Sequence, residues 1–102
     1  MIESLVNALV DRQFDLVESD GRAGRVGAEG LRQALSEYGR TLVALPPGWL
    51  SLVDEYPLDD GTGTAYDVPL WTHEEGRSDL TLSVTIINGL APRIATDDLR
   101  VL

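Results

Sequence analysis

The sequence predicts an α+β domain in which two N-terminal helices pack on one face of a curved antiparallel sheet of four or five strands. Apolar residues recur at helical spacing before Gly39, and they alternate with polar residues after it. Prolines and glycines interrupt the second half at short intervals, as expected for turns between strands. Helical segments followed by strand segments are typical of folds whose helices cover one side of an antiparallel sheet.

The helical segments come first. Residues Ile2 to Glu18 carry a stripe of the i, i+3, i+4, i+7 type, which predicts one amphipathic helix. A second helix is expected over Ala28 to Tyr38. Gly27 would be its N-cap, and Gly39 would supply the left-handed residue that ends it. The stripe of the first helix consists of Ile2, Leu5, Val6, Leu9, Val10, Phe14 and Val17.

Strands are predicted after Gly39. They cover Thr41 to Leu45, Leu50 to Tyr56, Ala65 to Trp71, Asp79 to Ile87 and Arg93 to Leu102, with a short helical turn at Pro47 to Leu50. The third and fourth strands form a hairpin, because one register places their apolar residues on a single face. That register pairs Leu70 with Leu80, Val68 with Leu82 and Tyr66 with Val84.

The last strand requires a change of register. Ile94 differs in parity from Leu99 and Val101, although all three are apolar and should face the core. We therefore expect a β-bulge near Thr96 to Asp98, where an unpaired residue resets the alternation. The loop that begins at Asn88 should be longer than two residues.

Length and composition limit the class of protein. A chain of 102 residues with 43% apolar side chains has material for one core, so we expect a single domain over residues 1–102. The chain has no cysteine, which excludes disulfides and thiolate metal sites and favours a cytoplasmic location. Its start lacks the features of a signal peptide, and no apolar run approaches the ~20 residues of a membrane span.

The net charge of −9 is concentrated in the second half of the chain. Residues 1–50 hold seven acidic and five basic groups, which gives −2, while residues 51–102 hold ten and three, which gives −7. Such a field repels phosphate backbones and attracts basic proteins. We therefore expect no nucleic-acid partner, and a basic protein partner if there is one, although acidity also simply aids solubility.

Two loops resemble ligand motifs only superficially. The segment Ser19 to Gly30 places glycines and a hydrophobic residue as a calcium-binding EF-hand does, but it lacks the oxygen ligands that calcium requires. It also fits neither nucleotide-binding glycine pattern. The acidic segment Asp59 to Thr64 is explained as a solvated connection between strands. We expect no metal and no cofactor.

The tip of the predicted hairpin gathers most of the candidate functional side chains. It carries the only histidine of the chain, together with two glutamates, an arginine and an aspartate: His73, Glu74, Glu75, Arg77 and Asp79. A structural role is also expected, with Gly76 at positive φ, Ser78 or Asp79 bonded to the local backbone, and Arg77 paired with a carboxylate. Trp71 points away from the apolar face of its strand, so it is either covered by the helices or exposed as a binding anchor.

Two segments of the hairpin, Val68 to Thr72 and Glu74 to Leu80, resemble a family of small, functionally uncharacterised bacterial domains. The order of elements is also similar, more distantly, to cystatin-like and NTF2-like α+β rolls. The second resemblance implies a cone-shaped pocket with acid-base residues in members that are enzymes, although NTF2-like folds usually have a third helix and a longer chain. A shared fold does not assign a reaction.

Three functions remain open from the sequence. The first is a non-enzymatic binding protein, such as an immunity-type or regulatory partner, that presents an acidic sheet and hairpin surface through Trp71, His73, Glu74, Glu75, Arg77 and Asp79. The second is an NTF2-like isomerase or cyclase in which His73 and either Asp67 or Asp79 transfer protons inside an enclosed cavity of ~300 Å³ or more. The third is a homodimer formed through the open sheet face.

Overall fold

The helical periodicity of the N-terminal residues produces three helices, which are followed by five strands. A computed structural model describes all residues, 1–102. Its helices are α1 (Ile2–Val10), α2 (Phe14–Ser19) and α3 (Gly27–Tyr38), and its strands are β1 (Leu42–Val43), β2 (Asp54–Pro57), β3 (Gly63–Thr72), β4 (Gly76–Ile87) and β5 (Arg93–Val101). A 3-10 turn covers Trp49–Leu52. The predicted fold class is confirmed.

The first helical segment is divided, so the prediction of one helix over Ile2 to Glu18 was wrong in extent. Arg12 adopts a left-handed backbone with φ of 58°. The Gln13 N–H donates to the Ala8 carbonyl at 2.9 Å, and the Arg12 N–H donates to the Leu9 carbonyl at 3.1 Å. These two bonds form a Schellman motif, which normally has glycine at the left-handed position. Sequence pattern did not reveal the break because the apolar stripe continues across it.

We expect Arg12→Gly to stabilise the fold by about 1 kcal/mol. Arginine is strained in the left-handed region, and glycine is not. Arg12 is exposed and takes part in no ion pair, so its removal should cost little else. Urea unfolding of the two proteins measures the difference. A loss of stability in the glycine variant would show that the arginine makes a contribution larger than its backbone strain.

The sheet has the order β1-β3-β4-β5, and β2 pairs with the same edge of β3 as β1 does. All pairs are antiparallel. In the β3–β4 hairpin, Val68 pairs with Leu82 and Tyr66 with Val84, as predicted. Leu70 and Leu80 are not register partners, because the strand pairing is irregular between Pro69 and Trp71.

Both register changes have a structural explanation. In β5 the pairing shifts between Thr96 and Asp98, which confirms the predicted bulge and leaves Asp97 as the extra residue. In β4 the irregularity is opposite Leu70, where the Ser78 hydroxyl donates to the Leu70 carbonyl at 2.9 Å and accepts from the Leu80 N–H at 3.1 Å. The loop between β4 and β5 is longer than two residues, also as predicted.

The segment between α3 and β3 contains less strand than the sequence predicts. The predicted strand Thr41 to Leu45 is reduced to two paired residues, Leu42 and Val43. The predicted strand Leu50 to Tyr56 begins as the 3-10 turn and becomes extended only at Asp54. Gly48 precedes the turn with φ of 84°, and its carbonyl accepts from the Ser51 hydroxyl at 2.9 Å.

One core joins the helices to one face of the sheet. It contains twenty buried apolar residues, of which eighteen lie in the three helices and in strands β1, β3, β4 and β5, and two, Ala23 and Leu45, lie in loops. Val68, Leu82 and Leu99 are adjacent in the register of three neighbouring strands and are almost completely buried. The other face is polar: the Ser83 hydroxyl donates to Asp67 Oδ1 at 2.6 Å and accepts from Arg100 at 2.8 Å.

The glycine-rich loop between α2 and α3 covers the free edge of β5. The Arg22 carbonyl accepts two hydrogen bonds from Thr96, one from its N–H and one from its hydroxyl, both at 2.9 Å. Thr96 is completely buried. Gly24 lies so close to Thr96 that a Cβ there would come within 2.2 Å of the Thr96 carbonyl oxygen. The loop therefore blocks pairing of β5 with another chain at the bulge.

Candidate functional site

The hairpin tip is bound to the connection between α3 and β1. The Glu74 carboxylate accepts the Thr41 N–H at Oε1 and the Thr41 hydroxyl at Oε2, both at 2.8 Å. The backbone bond, and after it the hydroxyl bond, hold the pKa of Glu74 below its ordinary value. The His73 N–H donates to the Thr41 carbonyl at 2.8 Å. Thr41 thus fixes two successive tip residues.

Glu75 is bound in the same way to the end of α3. Its Oε1 accepts the Tyr38 hydroxyl at 2.7 Å and the Thr72 hydroxyl at 3.1 Å, while its N–H donates to Thr72 Oγ1 at 3.1 Å. Burial, and then this bond to Glu75, raise the pKa of Tyr38. Two of the exposed carboxylates that the sequence suggested as contacts for a partner therefore already accept hydrogen bonds from the same chain.

The remaining candidates are dispersed around the tip. His73, Arg77 and Asp79 are exposed, and Trp71 is half-buried in contact with the core. Trp71 and Arg77 are register partners, whereas His73 lies in the turn beyond them. The expected ion pair of Arg77 is absent, since the four ion pairs involve only Arg22, Arg32 and Arg100 as cations. Gly76 has φ of 72°, as predicted.

Acid should weaken the hydrogen bonds between the Glu74 carboxylate and Thr41, which we call the tip clamp. Because the folded pKa of Glu74 lies below its ordinary value of 4.5, its stabilising contribution is present above pH 4.5 and is lost as pH falls through the folded pKa. Glu74→Gln keeps an oxygen for the Thr41 N–H but cannot titrate. We expect the wild type to lose more stability than Glu74→Gln between about pH 5 and about pH 3, as measured by denaturant unfolding. If the stability of the two proteins changed with pH in parallel, the stabilising role of the Glu74 carboxylate would be contradicted.

His73 and Asp67 do not form a catalytic pair. His73 lies six positions after Asp67, just beyond the end of strand β3, which corresponds to about 20 Å of extended chain. Asp67 accepts the Ser83 hydroxyl on the polar face of the sheet, and His73 is exposed at the tip. Asp79 is also exposed, near the β4 irregularity. Neither carboxylate shares an enclosed space with the imidazole.

The interior consists of apolar and hydroxyl side chains. The buried polar residues are Thr72, Ser78, Thr81, Ser83 and Thr96, and no buried side chain carries an ionisable group. The largest cleft, about 400 Å³, lies open to solvent between α3 and the ends of β4 and β5. Glu37 and Tyr38 line it, and the Tyr38 hydroxyl is already bonded to Glu75. Arg100 also lines this cleft, whereas His73, Asp67 and Asp79, which the sequence suggested for an acid-base pocket, do not.

A group of acidic residues lies at the edge of the sheet that is formed by β2. Between Thr41 and Gly76 the chain has seven acidic residues and no arginine or lysine. Five of them lie on or beside β2 and form what we call the acidic edge: Asp54, Glu55, Asp59, Asp60 and Asp67. None of the five takes part in an ion pair. Asp54 directly opposes Asp67 across the strands.

The acidic edge perturbs its neighbours electrostatically. The charge of Asp54, then burial and the charge of Asp67, raise the pKa of Tyr56. Like charges opposed across two strands destabilise a sheet. Asp67 is linked to Arg100 through the Ser83 hydroxyl, whereas the other four carboxylates of the acidic edge have no hydrogen-bonded link to a cation.

An apolar groove lies beside this edge. It has a volume of about 270 Å³, and Trp49, Leu50, Tyr66 and Ile86 supply most of its apolar lining. Glu3 and Glu55 line it as well. Leu50 is 61% exposed. We call this site the edge groove. Sequence reasoning missed it because Leu50 to Tyr56 was assigned to a strand, in which Leu50 would have been one more core residue. The helical turn predicted at Pro47 to Leu50 is present but lies later, at Trp49–Leu52.

Two kinds of site, a metal centre and a membrane-spanning helix, can be compared directly with the structure. No three histidine, aspartate or glutamate side chains are arranged so that they could hold a metal ion. The longest helix has twelve residues, and none of the helices has the length and hydrophobicity that crossing a bilayer requires.

Comparison with known proteins places the chain in a family. A family model described as a domain of unknown function, DUF7668, matches residues 6–102, nearly the whole chain. No curated protein and no solved structure matches it. The expectation that the chain is a member of a family of small domains is confirmed. The protein belongs to the family of domains of unknown function designated DUF7668.

Proposed function

We propose that the protein is a non-enzymatic binding protein, of the immunity or regulatory type, whose acidic surface recognises a basic protein. The observation that carries this proposal is the acidic edge, whose five carboxylates lie on β2, in the turn after it and on the adjacent strand β3, with none of them in an ion pair. Such a field accelerates encounter with a basic partner and selects against acidic ones. The proposal also includes a cytoplasmic, bacterial setting for the interaction.

The structure alters which residues we assign to that contact. Glu74 and Glu75 are bonded to α3 and to Thr41, so they hold the tip in place. In the acidic edge, Asp60 accepts hydrogen bonds from Thr62 and Asp67 accepts one from Ser83. The other three carboxylates, those of Asp54, Glu55 and Asp59, take part in no ion pair and supply the free charges instead. His73, Arg77, Asp79 and half-buried Trp71 remain accessible at the tip and form a second, less acidic contact area. We propose the acidic edge as the principal contact.

A charge-matched pair of variants tests the proposal. The first variant combines Asp54→Asn, Glu55→Gln and Asp59→Asn in the acidic edge, and the control combines Asp11→Asn, Asp15→Asn and Glu37→Gln on the helices. Both remove three negative charges from exposed positions. Each protein is used as bait in an extract of the source cells at low and at physiological salt.

We expect wild type and control to capture the same basic protein, and the edge variant to lose it. Raising the salt should weaken capture, because the screening length falls from about 30 Å at ~0.01 M to about 8 Å at ~0.15 M. Capture that is equal for both variants, or capture of no protein at low salt by the wild type, would refute the proposal.

A further inference from the structure

We propose that the edge groove is a docking site for an apolar side chain that is flanked by arginines or lysines in a protein partner. This inference rests on the proposed function and locates it. The groove is lined by residues 1–3 at the start of α1, by Trp49 and Leu50 of the 3-10 turn, and by one residue from each of β2, β3 and β4. Its apolar lining includes Tyr66 on β3 and Ile86 on β4.

The size and lining of the groove fit one or two side chains. Its volume of about 270 Å³ is below the ~300–1,000 Å³ typical of pockets for small-molecule ligands. Six of its eight lining residues are hydrophobic, and the accessible aromatic surface of Trp49 and Tyr66 is of the kind that dominates binding energy at interfaces. An apolar anchor residue of a partner is therefore the appropriate occupant.

The rim of the groove determines the charge of that partner. The only charged side chains in its lining are Glu3 and Glu55, and neither is in an ion pair. Asp54 and Tyr56 flank Glu55 on β2. An apolar anchor with cations on both sides would fill the groove and neutralise the rim at once. A second copy of this chain would instead bring two acidic rims together, which like-charge repulsion opposes.

The geometry of β2 favours a side-chain anchor over an added strand. β2 is only four residues long, it carries two carboxylates, and it ends at Pro57, which has no N–H to donate. Short, charged, proline-containing edge strands resist pairing with another strand. Docking should therefore use side chains in the edge groove, without main-chain bonds to β2.

Fluorescence titration with defined peptides tests the inference. The probe is a short synthetic peptide with two central leucines flanked on both sides by arginines. One comparison peptide replaces the leucines by serines, and the other replaces the arginines by glutamates. The chain has only two tryptophans, Trp49 and Trp71. All measurements therefore use proteins that carry Trp71→Phe, so that the fluorescence of Trp49 alone reports whether the groove is occupied. Circular dichroism and unfolding curves establish that each variant is folded.

We expect the arginine-leucine peptide to bind with a change in Trp49 emission and both comparison peptides to bind at least about ten-fold more weakly. Leu50→Ser and Glu55→Lys should each reduce the affinity about ten-fold. The matched controls are Leu90→Ser, on the fully exposed β4–β5 loop, and Asp11→Lys, at the opposite end of α1 from Glu3. Both should leave the affinity within about two-fold of the wild type.

Failure of this inference is distinguishable from failure of the proposed function. Salt-sensitive binding that is unchanged by Leu50→Ser and Glu55→Lys, or that is as strong for the serine peptide, would refute the groove and leave the acidic surface as the contact. If no arginine-containing peptide binds even at low salt, both the groove and the proposed function are refuted.

Discussion

Gly24→Ala should destabilise the protein by about 3 kcal/mol or more. Gly24 has φ of 57°, where alanine costs about 1–2 kcal/mol. The added Cβ would also lie 2.2 Å from the Thr96 carbonyl oxygen, so the loop must move away from β5. That movement loses the two bonds from Thr96 to the Arg22 carbonyl, each worth about 1 kcal/mol. Thermal unfolding should shift downward by about 12 °C or more.

Gly21→Ala is the matched control in the same loop. Gly21 also has positive φ, of 86°, but a Cβ there would meet no atom within 4 Å. This variant should lose only the stability that it costs to place alanine in a left-handed backbone conformation, about 1 kcal/mol. If the two variants were equally stable, close contact between the loop and β5 would be refuted, together with the explanation of how that edge is covered.

Leu82→Ala should cost about 3 kcal/mol, within the ~2–5 kcal/mol seen when a buried leucine is truncated in a packed core. Leu82 has no exposed surface and lies between Val68 and Leu99 in the register of the sheet. The cost is high because the surrounding core cannot collapse fully into the space left by the side chain. Denaturant unfolding at a fixed pH measures it.

Leu52→Ala provides the comparison for this effect, since Leu52 is 42% exposed and should cost less than about 1 kcal/mol. The difference between the two leucines tests whether the interior is packed. An interior with room for a substrate would make Leu82→Ala nearly as mild as Leu52→Ala. That result would revive the catalytic alternative, which requires such a space.

The strand features that the sequence predicted correctly depend on the alternation of apolar and polar residues, either within one strand or between neighbouring strands. The parity of Ile94 and Leu99 revealed the bulge at Asp97, because only one face of β5 can meet the core. The hairpin register followed from the same argument applied to Val68 and Leu82. These inferences need no knowledge of the rest of the fold.

Some of the features that it missed, such as the left-handed residue Arg12, are local. Others depend on contacts between residues far apart in the chain. Glu74 and Thr41 are separated by 33 positions, and nothing in the tip itself indicates that its carboxylate is already bonded. Likewise, the loop containing Gly24 contacts Thr96 across the whole chain, so its glycines were interpreted only as turn residues. The hydrogen bonds of Glu74 and Glu75 are the reason that we propose the acidic edge, and not the hairpin tip, as the principal contact.

The most direct test of the account is NMR mapping of the arginine-leucine peptide on the isotope-labelled wild-type chain. The account predicts that amide shift changes centre on residues 49–55 and on Tyr66 and Ile86, and that they disappear at high salt. Signals from His73 to Arg77 should remain in place, because Glu74 and Glu75 are held by Thr41 and Tyr38. Shift changes centred on the hairpin tip instead would contradict the account.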